Sequence, residues 1–482
     1  MDKSEEIGCN GKILIKKEPF SRARPHEVII ELRKSIKENR LFQRRSFIDE
    51  DLSSPLEEDN TQSLVELSMD EIVIAIHSEN EEYQFLGMQQ ARKKISHKGA
   101  APIDLMIGYG IVPISIRFLQ NTKNTALQLE AAWLLTNIAA GSVEQTRYVI
   151  DQNAVPNLIA LLPTESFEVA KQVVWALANI AANGNEERDI VIQHNVIDKI
   201  LPLMGDDMPI SFPRTIVWLI SILCEDPLPP FEQVKRMLPV LSQLLIGEES
   251  KVQSKACWIL ANVVKSDNLI QAVLDTDAVP RLVYLLDTCS NSRVIVSALR
   301  CIGNIVSGTD RQTDAVIDCG VLPTLGKLLQ HSHHIIVKEA AWILSNITCG
   351  TREQMSAVLD SGIFHQIRHV LDKGGANAQK EAAWAVTNAT SSGTADQIVE
   401  MFREYKLMKP FLDLLAATDP NTIQVVLGGI SNLFGVCLKL GGIENLCVMI
   451  DDLGGFEKLH ALERHENEQV RNKTNAFMDK YF

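Results

Sequence analysis

Six tryptophans and a series of asparagines share one register along this 482-residue chain. The tryptophans are Trp133, Trp175, Trp218, Trp258, Trp342 and Trp384, and Arg300 occupies the register position inside the one double interval. Four residues after most of these positions stands an asparagine: Asn137, Asn179, Asn262, Asn304, Asn346 or Asn388. Residues four apart lie on the same face of an α-helix. The register therefore predicts stacked Trp/Asn pairs, one in each repeat.

Such pairs could bind an extended peptide. An asparagine carboxamide both donates and accepts hydrogen bonds, so it can pair with a peptide backbone whatever the peptide's side chains are. The face of an indole attracts cations, and each contact contributes about 0.5–2 kcal/mol. A Lys or Arg side chain can lay its methylene stem on the ring while a carboxylate binds the charged head group. The predicted ligand is an extended peptide rich in Lys and Arg.

Two structural interpretations compete with this one. A tryptophan at a fixed repeat position is more often a core residue than a ligand-binding one. Asparagines can also join neighbouring repeats through internal hydrogen bonds, because buried amides need partners. The sequence leaves both alternatives open.

The segments between the tryptophans follow one pattern. A short apolar helix carries a proline in its first turn, as at Pro156, Pro280 and Pro323. A longer helix with the Trp/Asn pair follows, and we expect a left-handed helix stop at the glycines after it, Gly141, Gly184, Gly308 and Gly350. Units of about 42 residues with two or three helices are typical of armadillo and HEAT repeats. The expected fold is all-α, a solenoid of armadillo or HEAT type over residues 71–482.

Composition and charge exclude several function classes. Hydrophobic residues make up 46% of the chain and charged residues 22%, which is a globular composition. A formal net charge of −14 argues against nucleic acid as the main partner. We find no apolar run long enough for a membrane span and no signal peptide at the start. Nine cysteines without a C-x-x-C pair favour a reducing cytosolic or nuclear setting.

The charge is unevenly distributed. Residues 12–45 hold 11 Lys and Arg against 4 Glu, so a basic segment is joined to a strongly acidic body. Residues 28–41 have helical periodicity, and residues 46–70 have the composition of a polar, acidic linker. We therefore expect residues 1–70 to be a separate segment that is flexible, or helical when bound.

No group of residues suggests an enzyme. The chain has no phosphate-binding G-x-x-x-x-G-K-[ST] motif and no G-x-S-x-G motif, and the constant repeat spacing leaves no room for a catalytic insertion. His331, His333 and His334 are interpreted as residues of a solvated loop rather than metal ligands. Cys257 and Cys301 are interpreted as small core residues. We expect no metal and no cofactor.

Over essentially the whole chain these motifs resemble importin-α, the family of nuclear import adaptors. The similar stretches are AAWLLTNIAAGSVEQT, QVVWALANIAANG, ALRCIGNIVSGTDRQT, KEAAWILSNITCG, QKEAAWAVTNATSSGTADQIV and the final GGFEKLHALERHENEQVRNKTNAFMDKYF. The segment ELRKSIKENRLFQRRSF is similar to the family's importin-β-binding segment.

The resemblance implies an all-α, right-handed armadillo solenoid of about ten three-helix repeats. Its concave groove would hold two sites for nuclear localisation signals. The major site would comprise Trp133, Asn137, Gly141, Thr146, Gln172, Trp175, Asn179, Asn183, Trp218, Trp258 and Asn262. The minor site would comprise Arg300, Asn304, Asp310, Thr313, Glu339, Trp342, Ser345, Asn346, Glu381, Trp384 and Asn388. Importin-β would bind Glu31, Leu32, Arg33, Lys34, Arg40, Arg44 and Arg45.

The resemblance also implies partners and a location. Cargo proteins would bring the localisation signals, and importin-β would bind the N-terminal segment. A CAS-type recycling exportin with Ran-GTP would dock on the last repeats, and nuclear pore proteins would be reached indirectly. The protein would shuttle between cytoplasm and nucleus. The alternative is an armadillo scaffold that has lost nuclear import and binds other extended peptides.

The chain departs from the family pattern mainly in the major site. Ile222 stands where an asparagine is expected after Trp218, and Asn183 replaces the aspartate that binds the key lysine of a signal. Lysines occupy positions where acids are expected, and a glutamate replaces a basic residue: Lys171, Lys255, Lys265 and Glu225. Each exchange of an acid for a lysine turns attraction for a bound lysine into repulsion. We expect the minor site to bind in the family's manner more closely than the major site does.

The basic N-terminal segment is also reduced in charge, which predicts weak competition with signal peptides. Its internal mimic of a signal is Gln43-Arg44-Arg45, with glutamine where the family usually has lysine. We expect that removing residues 1–70 leaves the affinity for a signal peptide unchanged, as measured by competition binding. A large gain in affinity after the removal would contradict this prediction.

Overall fold

The computed structural model describes residues 66–96, 102–121, 123–205, 208–209 and 211–482, without the side chain of Asp267. These residues form α-helices, two short 3-10 helices and turns, and no strand occurs among them. The expectation of an all-α protein is confirmed. The residues expected to bind importin-β, from Glu31 to Arg45, lie outside the described ranges.

The described helices fall into two compact units that meet in sequence between Leu244 and Leu245. The N-terminal unit contains α1 (Met69–Ile76), α2 (Glu81–Ser96), α3 (Ile103–Gly108), α4 (Ile111–Leu119), α5 (Thr125–Ala139), α6 (Val143–Asp151), α7 (Ala154–Ala160), α8 (Phe167–Ala181), α9 (Asn185–Gln193), α10 (Val196–Ile200), the 3-10 helix Leu201–Leu203, α11 (Ser211–Leu223) and α12 (Phe231–Leu244). The C-terminal unit contains α13 (Ser250–Val263), α14 (Asp267–Leu274), α15 (Ala278–Thr288), α16 (Ser292–Val306), α17 (Asp310–Asp318), α18 (Val321–Leu328), α19 (His334–Thr348), α20 (Arg352–Asp360), α21 (Phe364–Lys373), α22 (Ala376–Ser392), α23 (Ala395–Glu404), α24 (Met408–Asp413), the 3-10 helix Leu414–Ala416, α25 (Pro420–Leu440), α26 (Ile443–Asp452), α27 (Gly455–Leu462) and α28 (Glu468–Tyr481).

Most repeats consist of two short helices followed by a long one. In the described residues eight repeats have all three helices, whereas the repeats that end in α2 and α13 show two. The long helices that carry the Trp/Asn register are α5, α8, α11, α13, α16, α19, α22 and α25, and we call them the ladder helices. Within each unit consecutive ladder helices pack side by side. Their packing brings the register positions of successive repeats next to each other.

The short helices show why a proline fits their first turn. Pro156, Pro280 and Pro323 are each the third residue of a helix, α7, α15 and α18 respectively. The first four amides of a helix have no partner within it, so a proline there costs no hydrogen bond.

The expectation of a left-handed stop at the glycines that follow the long helices is wrong. None of Gly141, Gly184, Gly308 and Gly350 has a φ in the left-handed region, and Gly184 is extended, with a φ of 169°. Gln145 folds back from the first turn of α6 to accept a hydrogen bond from the Ser142 amide at 2.9 Å. A Cβ at Gly141 would overlap this glutamine side chain, and Gln312 and Gln354 occupy the same position beside Gly308 and Gly350. These three glycines therefore make room for a capping box rather than for a left-handed residue.

One helix qualifies the expectation that no segment could cross a membrane. The 21-residue α25 is long and apolar enough by length and composition alone. It is also a ladder helix that packs between α22 and α28. Its Asn432 continues the asparagine register and donates to Ser391 Oγ at 2.8 Å, which is the behaviour of a helix within the repeat stack.

The buried cysteines behave as predicted. Cys257 and Cys301 are fully buried on α13 and α16. Burial raises the pKa of Cys257 to about 12 and that of Cys301 well above its ordinary value. Both thiols are therefore protonated at neutral pH, and none of the eight cysteines in the described residues forms a disulfide.

One buried ion pair joins α2 to α5. Arg92 Nε donates to Glu130 Oε2 at 2.9 Å and Arg92 Nη2 donates to Glu130 Oε1 at 3.2 Å. Both side chains are buried. A guanidinium paired through two parallel bonds is held in one orientation, so this pair fixes Arg92 between the two helices.

Removal of Glu130 should destabilise the N-terminal unit strongly. Glu130→Ala leaves the buried Arg92 guanidinium without its counter-charge, which costs about 3–5 kcal/mol. The exposed Glu186, which pairs with Arg147 at 2.8 Å, is the matched control, because a surface pair contributes about 0–1 kcal/mol. Urea unfolding followed by far-UV circular dichroism measures both variants. Equal urea midpoints for Glu130→Ala and Glu186→Ala would show that the buried pair contributes no more to the free energy of unfolding than the surface pair.

Candidate peptide-binding ladder

The register asparagines join neighbouring ladder helices. Asn179 Nδ2 donates to the carbonyl of Thr136 at 3.0 Å, Asn304 Nδ2 to that of Ala261 at 2.8 Å, and Asn388 Nδ2 to that of Ser345 at 2.8 Å. In each case the acceptor lies 43 residues earlier, on the preceding ladder helix. Asn137 donates instead to Ser96 Oγ on α2, at 2.9 Å. The asparagines thus act as the internal connections between repeats that the sequence left open as an alternative.

This use of the donor changes what the asparagines can offer a peptide. One hydrogen of Nδ2 is engaged within the protein in Asn137, Asn179, Asn304 and Asn388. The carboxamide oxygen can still accept a hydrogen bond, although that of Asn179 is buried. Asn346 is the exception on α19, because its Nδ2 is buried and has no hydrogen-bond partner. The Nδ2 donor of Asn346 is therefore an unsatisfied group in the interior of the C-terminal unit.

The Trp175/Asn179 pair is the most enclosed. Trp175 is 5% exposed and Asn179 is 1% exposed. The indole Nε1 of Trp175 and the carboxamide oxygen of Asn179 are both buried without a partner. Buried polar groups are normally satisfied, so these two atoms are unsatisfied groups within one helical turn of α8.

The first pair of the ladder is covered by a cation of the protein itself. Arg92 Cζ lies 4.1 Å from the centroid of the Trp133 ring. Glu130 fixes that guanidinium by the two bonds described above. A cation from a ligand therefore finds one face of Trp133 already occupied. Sequence reasoning missed Arg92, because its contact with Trp133 depends on the packing of α2 on α5.

The remaining polar residues expected in the major site are directed into the N-terminal unit. The Thr146 hydroxyl is fully buried and donates to the carbonyls of Ala139 and Ser142 at 3.1 and 3.0 Å. Gln172 is buried and donates to Thr136 Oγ1 at 2.7 Å. These residues stabilise the ladder helices through contacts in the interior of the N-terminal unit.

Asn183 takes part in the same interior arrangement. Its Nδ2 donates to Thr146 Oγ1 at 2.9 Å and to the carbonyl of Asn179 at 3.0 Å. A neutral amide here supplies no charge for a ligand lysine. The neighbouring ladder helix α11 carries the half-buried Trp218, and Ile222 is buried one turn later, so this position lacks a polar partner for a peptide backbone.

Two lysines close in sequence contact the Trp258/Asn262 pair on α13. Trp258 is 44% exposed, and Lys255 Nζ lies 4.7 Å from the centroid of its ring. Lys265 Nζ donates to Asn262 Oδ1 at 2.7 Å. The spacing of Lys255 three residues before Trp258 is the sequence signal for this contact, since residues i and i+3 are neighbours on a helix.

The C-terminal unit holds two consecutive Trp/Asn pairs. Trp342 and Asn346 lie on α19, and Trp384 and Asn388 lie on the adjacent α22; both tryptophans are half-buried. A Cβ at Gly303 of α16 would overlap the six-membered ring of Trp342. The absence of a side chain at Gly303 therefore lets the indole lie directly on the preceding ladder helix. The one sequence signal for this role of Gly303 is its place directly before the register asparagine Asn304, and no prediction was made from it.

Acidic residues accompany these two pairs at a fixed offset. Glu339 and Glu381 stand three residues before Trp342 and Trp384. Glu339 is buried and lies 3.7 Å from Arg300 Nε and 3.4 Å from Lys338 Nζ. Arg300, which fills the register position on α16, is exposed. At this register position a guanidinium therefore stands in place of an indole ring, and Glu339 partly balances its charge.

The other residues expected in the minor site divide between surface and interior. Asp310 begins α17 and is half-buried. Thr313 is fully buried and donates to the carbonyl of Val306 at 3.2 Å. Ser345 is buried and donates to the carbonyl of Trp342 at 2.8 Å, so it supports the tryptophan from within its own helix. In the ranges that the structure describes, no group of His, Cys, Asp and Glu could hold a metal ion.

Family models match three parts of the chain. The importin beta binding domain matches residues 12–89. The armadillo/beta-catenin-like repeat matches residues 99–140, 142–182, 266–307 and 309–349, and an atypical Arm repeat matches residues 444–482. A solved engineered protein has a TM-score of 0.66 at 27% identity, covering 86% of this chain and 98% of its own.

Curated relatives agree along most of the chain. Importin subunit alpha-1b of Oryza sativa subsp. japonica is 37% identical over 419 residues, which cover 85% of this chain and 78% of that protein. Importin subunit alpha-4 of Arabidopsis thaliana is 36% identical, covering 86% and 79%. Importin subunit alpha-B of Dictyostelium discoideum is 40% identical, covering 60% and 56%. With the ladder of Trp/Asn pairs, these similarities establish that the chain belongs to the importin-α family.

Proposed function

We propose that this protein is a nuclear import adaptor. It binds the Lys/Arg-rich nuclear localisation signals of cargo proteins in an extended conformation and links them to importin-β. The observation that carries the proposal is the pair of adjacent positions on α19 and α22, where Trp342/Asn346 and Trp384/Asn388 stand side by side with an acid before each tryptophan. The match of residues 12–89 to the importin beta binding domain supports the proposed link to importin-β.

The mechanism is binding and release without chemistry. A peptide lysine or arginine lays its stem on the face of Trp342 or Trp384, and the nearby carboxylates attract the head group. The carboxamide oxygens of Asn346 and Asn388 accept hydrogen bonds from the peptide backbone. These contacts recognise the charge and the extended backbone of the ligand.

The finer assignments belong to the same proposal. Residues 1–70 form the importin-β-binding segment with its linker, and residues 71–482 form the armadillo domain. A CAS-type exportin with Ran-GTP docks on the last repeats and recycles the adaptor, which shuttles between cytoplasm and nucleus. Nuclear pore proteins are contacted through importin-β. The protein catalyses no reaction and holds no cofactor.

The C-terminal unit supplies the main binding site of this family member. In the N-terminal unit Arg92 covers Trp133, Trp175 and Asn179 are buried, and Asn183 carries no charge. In the C-terminal unit the two tryptophans are half-buried and acids accompany them. We therefore assign the dominant signal contacts to Trp342, Trp384 and their asparagines.

Replacement of Trp342 should weaken signal binding more than replacement of Trp175. Trp342→Ala removes a cation–π surface worth about 0.5–2 kcal/mol, which corresponds to a loss of about tenfold in affinity, whereas Trp175→Ala changes affinity by about threefold or less. Fluorescence anisotropy with a labelled single-cluster basic peptide and the full chain measures both. Thermal unfolding checks that each variant is folded, because Trp175 is a buried residue. Loss of binding mainly in a folded Trp175→Ala protein would place the dominant site in the N-terminal unit.

Charge reversal in the N-terminal segment should abolish the link to importin-β. Arg33→Glu combined with Lys34→Glu replaces two positive charges of the basic segment with negative ones and so removes its charge complementarity to a partner. We expect a loss of importin-β binding of at least about tenfold at physiological salt. The exposed Lys373, paired with its neighbour Asp372, gives the control variant Lys373→Glu. Binding to immobilised importin-β measures the effect. Full binding by the double variant, or no binding by the unaltered chain, would favour an armadillo scaffold without a role in import.

A further inference from the structure

A basic cavity lies between the N-terminal halves of ladder helices α13 and α16. It has a volume of about 410 Å³. Its lining includes three cationic side chains and three serines: Lys251, Lys255, Arg293, Ser250, Ser254 and Ser297. The hydroxyl oxygens of Ser254 and Ser297 lie 3.5 Å apart across the gap between the two helices. The cavity is thus a hydroxyl-lined gap with cations contributed by both helices.

The electrostatics of this cavity oppose those of the chain as a whole. The protein carries a formal net charge of −14, yet no carboxylate is among the described residues that line the cavity. Both helices also begin there, α13 at Ser250 and α16 at Ser292. The N-terminal end of a helix carries a partial positive charge, so the backbone adds to the field of the three side chains.

The donor set matches a phosphate group. A guanidinium binds phosphate through two parallel hydrogen bonds, lysines contribute point charges, and hydroxyls donate to the remaining oxygens. A phosphorylated serine or threonine carries about −1.5 to −2 charges at neutral pH and three acceptor oxygens. A polyanion such as nucleic acid fits poorly. Salt screens the attraction of the cavity within a Debye length of about 8 Å, and the phosphates of a polyanion that lie farther away face the acidic body of the protein.

The position of the cavity connects it with the peptide ladder. Trp258, the register residue of α13, is part of its lining. Lys255 Nζ lies over that indole at 4.7 Å from the ring centroid, so a lysine accompanies this register tryptophan, whereas an acid stands three residues before Trp342 and Trp384. A ligand that follows the ladder from α19 past α16 therefore reaches a site selective for anions.

We propose that this cavity binds a phosphorylated serine or threonine of the same extended peptide whose basic residues occupy Trp342 and Trp384. The inference rests on the proposed function and specifies which cargo signals the chain prefers. Helices α13 and α19 are two ladder steps apart, which at about 8–10 Å per step is about 16–20 Å. An extended chain advances about 3.3 Å per residue, so the phosphorylated residue lies about five or six residues from the basic cluster.

The test compares phosphorylated and unphosphorylated signal peptides on the full chain. Two labelled peptides carry a serine six residues before or six residues after a basic cluster, each prepared with and without phosphate. We expect phosphorylation on one of the two sides to tighten binding about tenfold in fluorescence anisotropy, since charge-assisted phosphate contacts are strong hydrogen bonds. A phosphoserine directly beside the basic cluster is the spacing control and should give no gain. Equal affinity with and without phosphate on both sides would overturn the inference.

Three variants link the gain to the cavity. Lys251→Gln and Arg293→Gln should each reduce the ratio of the two affinities to about threefold or less, because each removes one of three cations. Lys255→Gln should lower the same ratio and also raise the affinity for the unphosphorylated basic peptide, since it uncovers a face of Trp258. Lys373→Gln, which removes an equal charge from an exposed site outside the ladder, should leave the ratio unchanged. An unchanged ratio in both Lys251→Gln and Arg293→Gln would overturn the assignment to this cavity.

Two further outcomes separate the levels of the proposal. If no peptide binds in either state, the proposed function fails together with the inference. If the basic peptide binds but phosphate gives no gain, only the inference fails. Inorganic phosphate at the concentration of the peptide should not displace the phosphopeptide, because attachment to the basic cluster raises the local concentration of the phosphate group. Displacement by inorganic phosphate would assign the cavity to a free anion and contradict a peptide ligand.

Discussion

The hydrogen bond from a register asparagine to the preceding ladder helix sets the geometry on which the binding surface depends. Its acceptor recurs at a separation of 43 residues in Asn179, Asn304 and Asn388. The bond of Asn179 is buried and those of Asn304 and Asn388 are partly buried. Such a bond between two helices restrains their relative rotation and translation, because a displaced helix would leave a carboxamide unsatisfied. The tryptophan one turn earlier on the same helix is therefore held at a defined height. The same residue type thus joins the repeats and presents an acceptor toward a ligand.

The constraint is shared along the ladder, but the chemistry of its positions differs. Trp133 and Trp258 already have a cation of the protein over one face, Arg92 and Lys255 respectively. The two cations are held in different ways. Glu130 holds Arg92 by two hydrogen bonds, whereas Lys255 lies on the same helix as its tryptophan. A bound cation would have to share or displace these charges. At Trp342 and Trp384, where an acid stands three residues before each ring, the ladder keeps the form that suits a basic peptide.

Much of this arrangement could be predicted from the sequence, because it depends on periodicity. The interval between tryptophans gave the repeat, and the offset of four residues gave the common face of Trp342 and Asn346. The role of Gly141 was predicted wrongly, since a glycine after a helix usually means a left-handed residue. Here the neighbouring capping glutamine Gln145 requires the space instead. The error came from a local rule applied where a side chain of the next helix decides the outcome.

Contacts between repeats were out of reach for a different reason. The cation of Arg92 over Trp133 joins residues 41 positions apart, and nothing in either local sequence indicates the contact. Lys255 was noticed as a charge in an unexpected place, but the structure is needed to see that Arg293 of the next ladder helix lines the same cavity. Single substitutions of acids by lysines would by themselves only weaken a site for basic peptides. Because cations from two helices converge with serine hydroxyls in one gap, the same substitutions create a positive field, and a field of that sign can be used only by a ligand that brings an anion alongside its lysines.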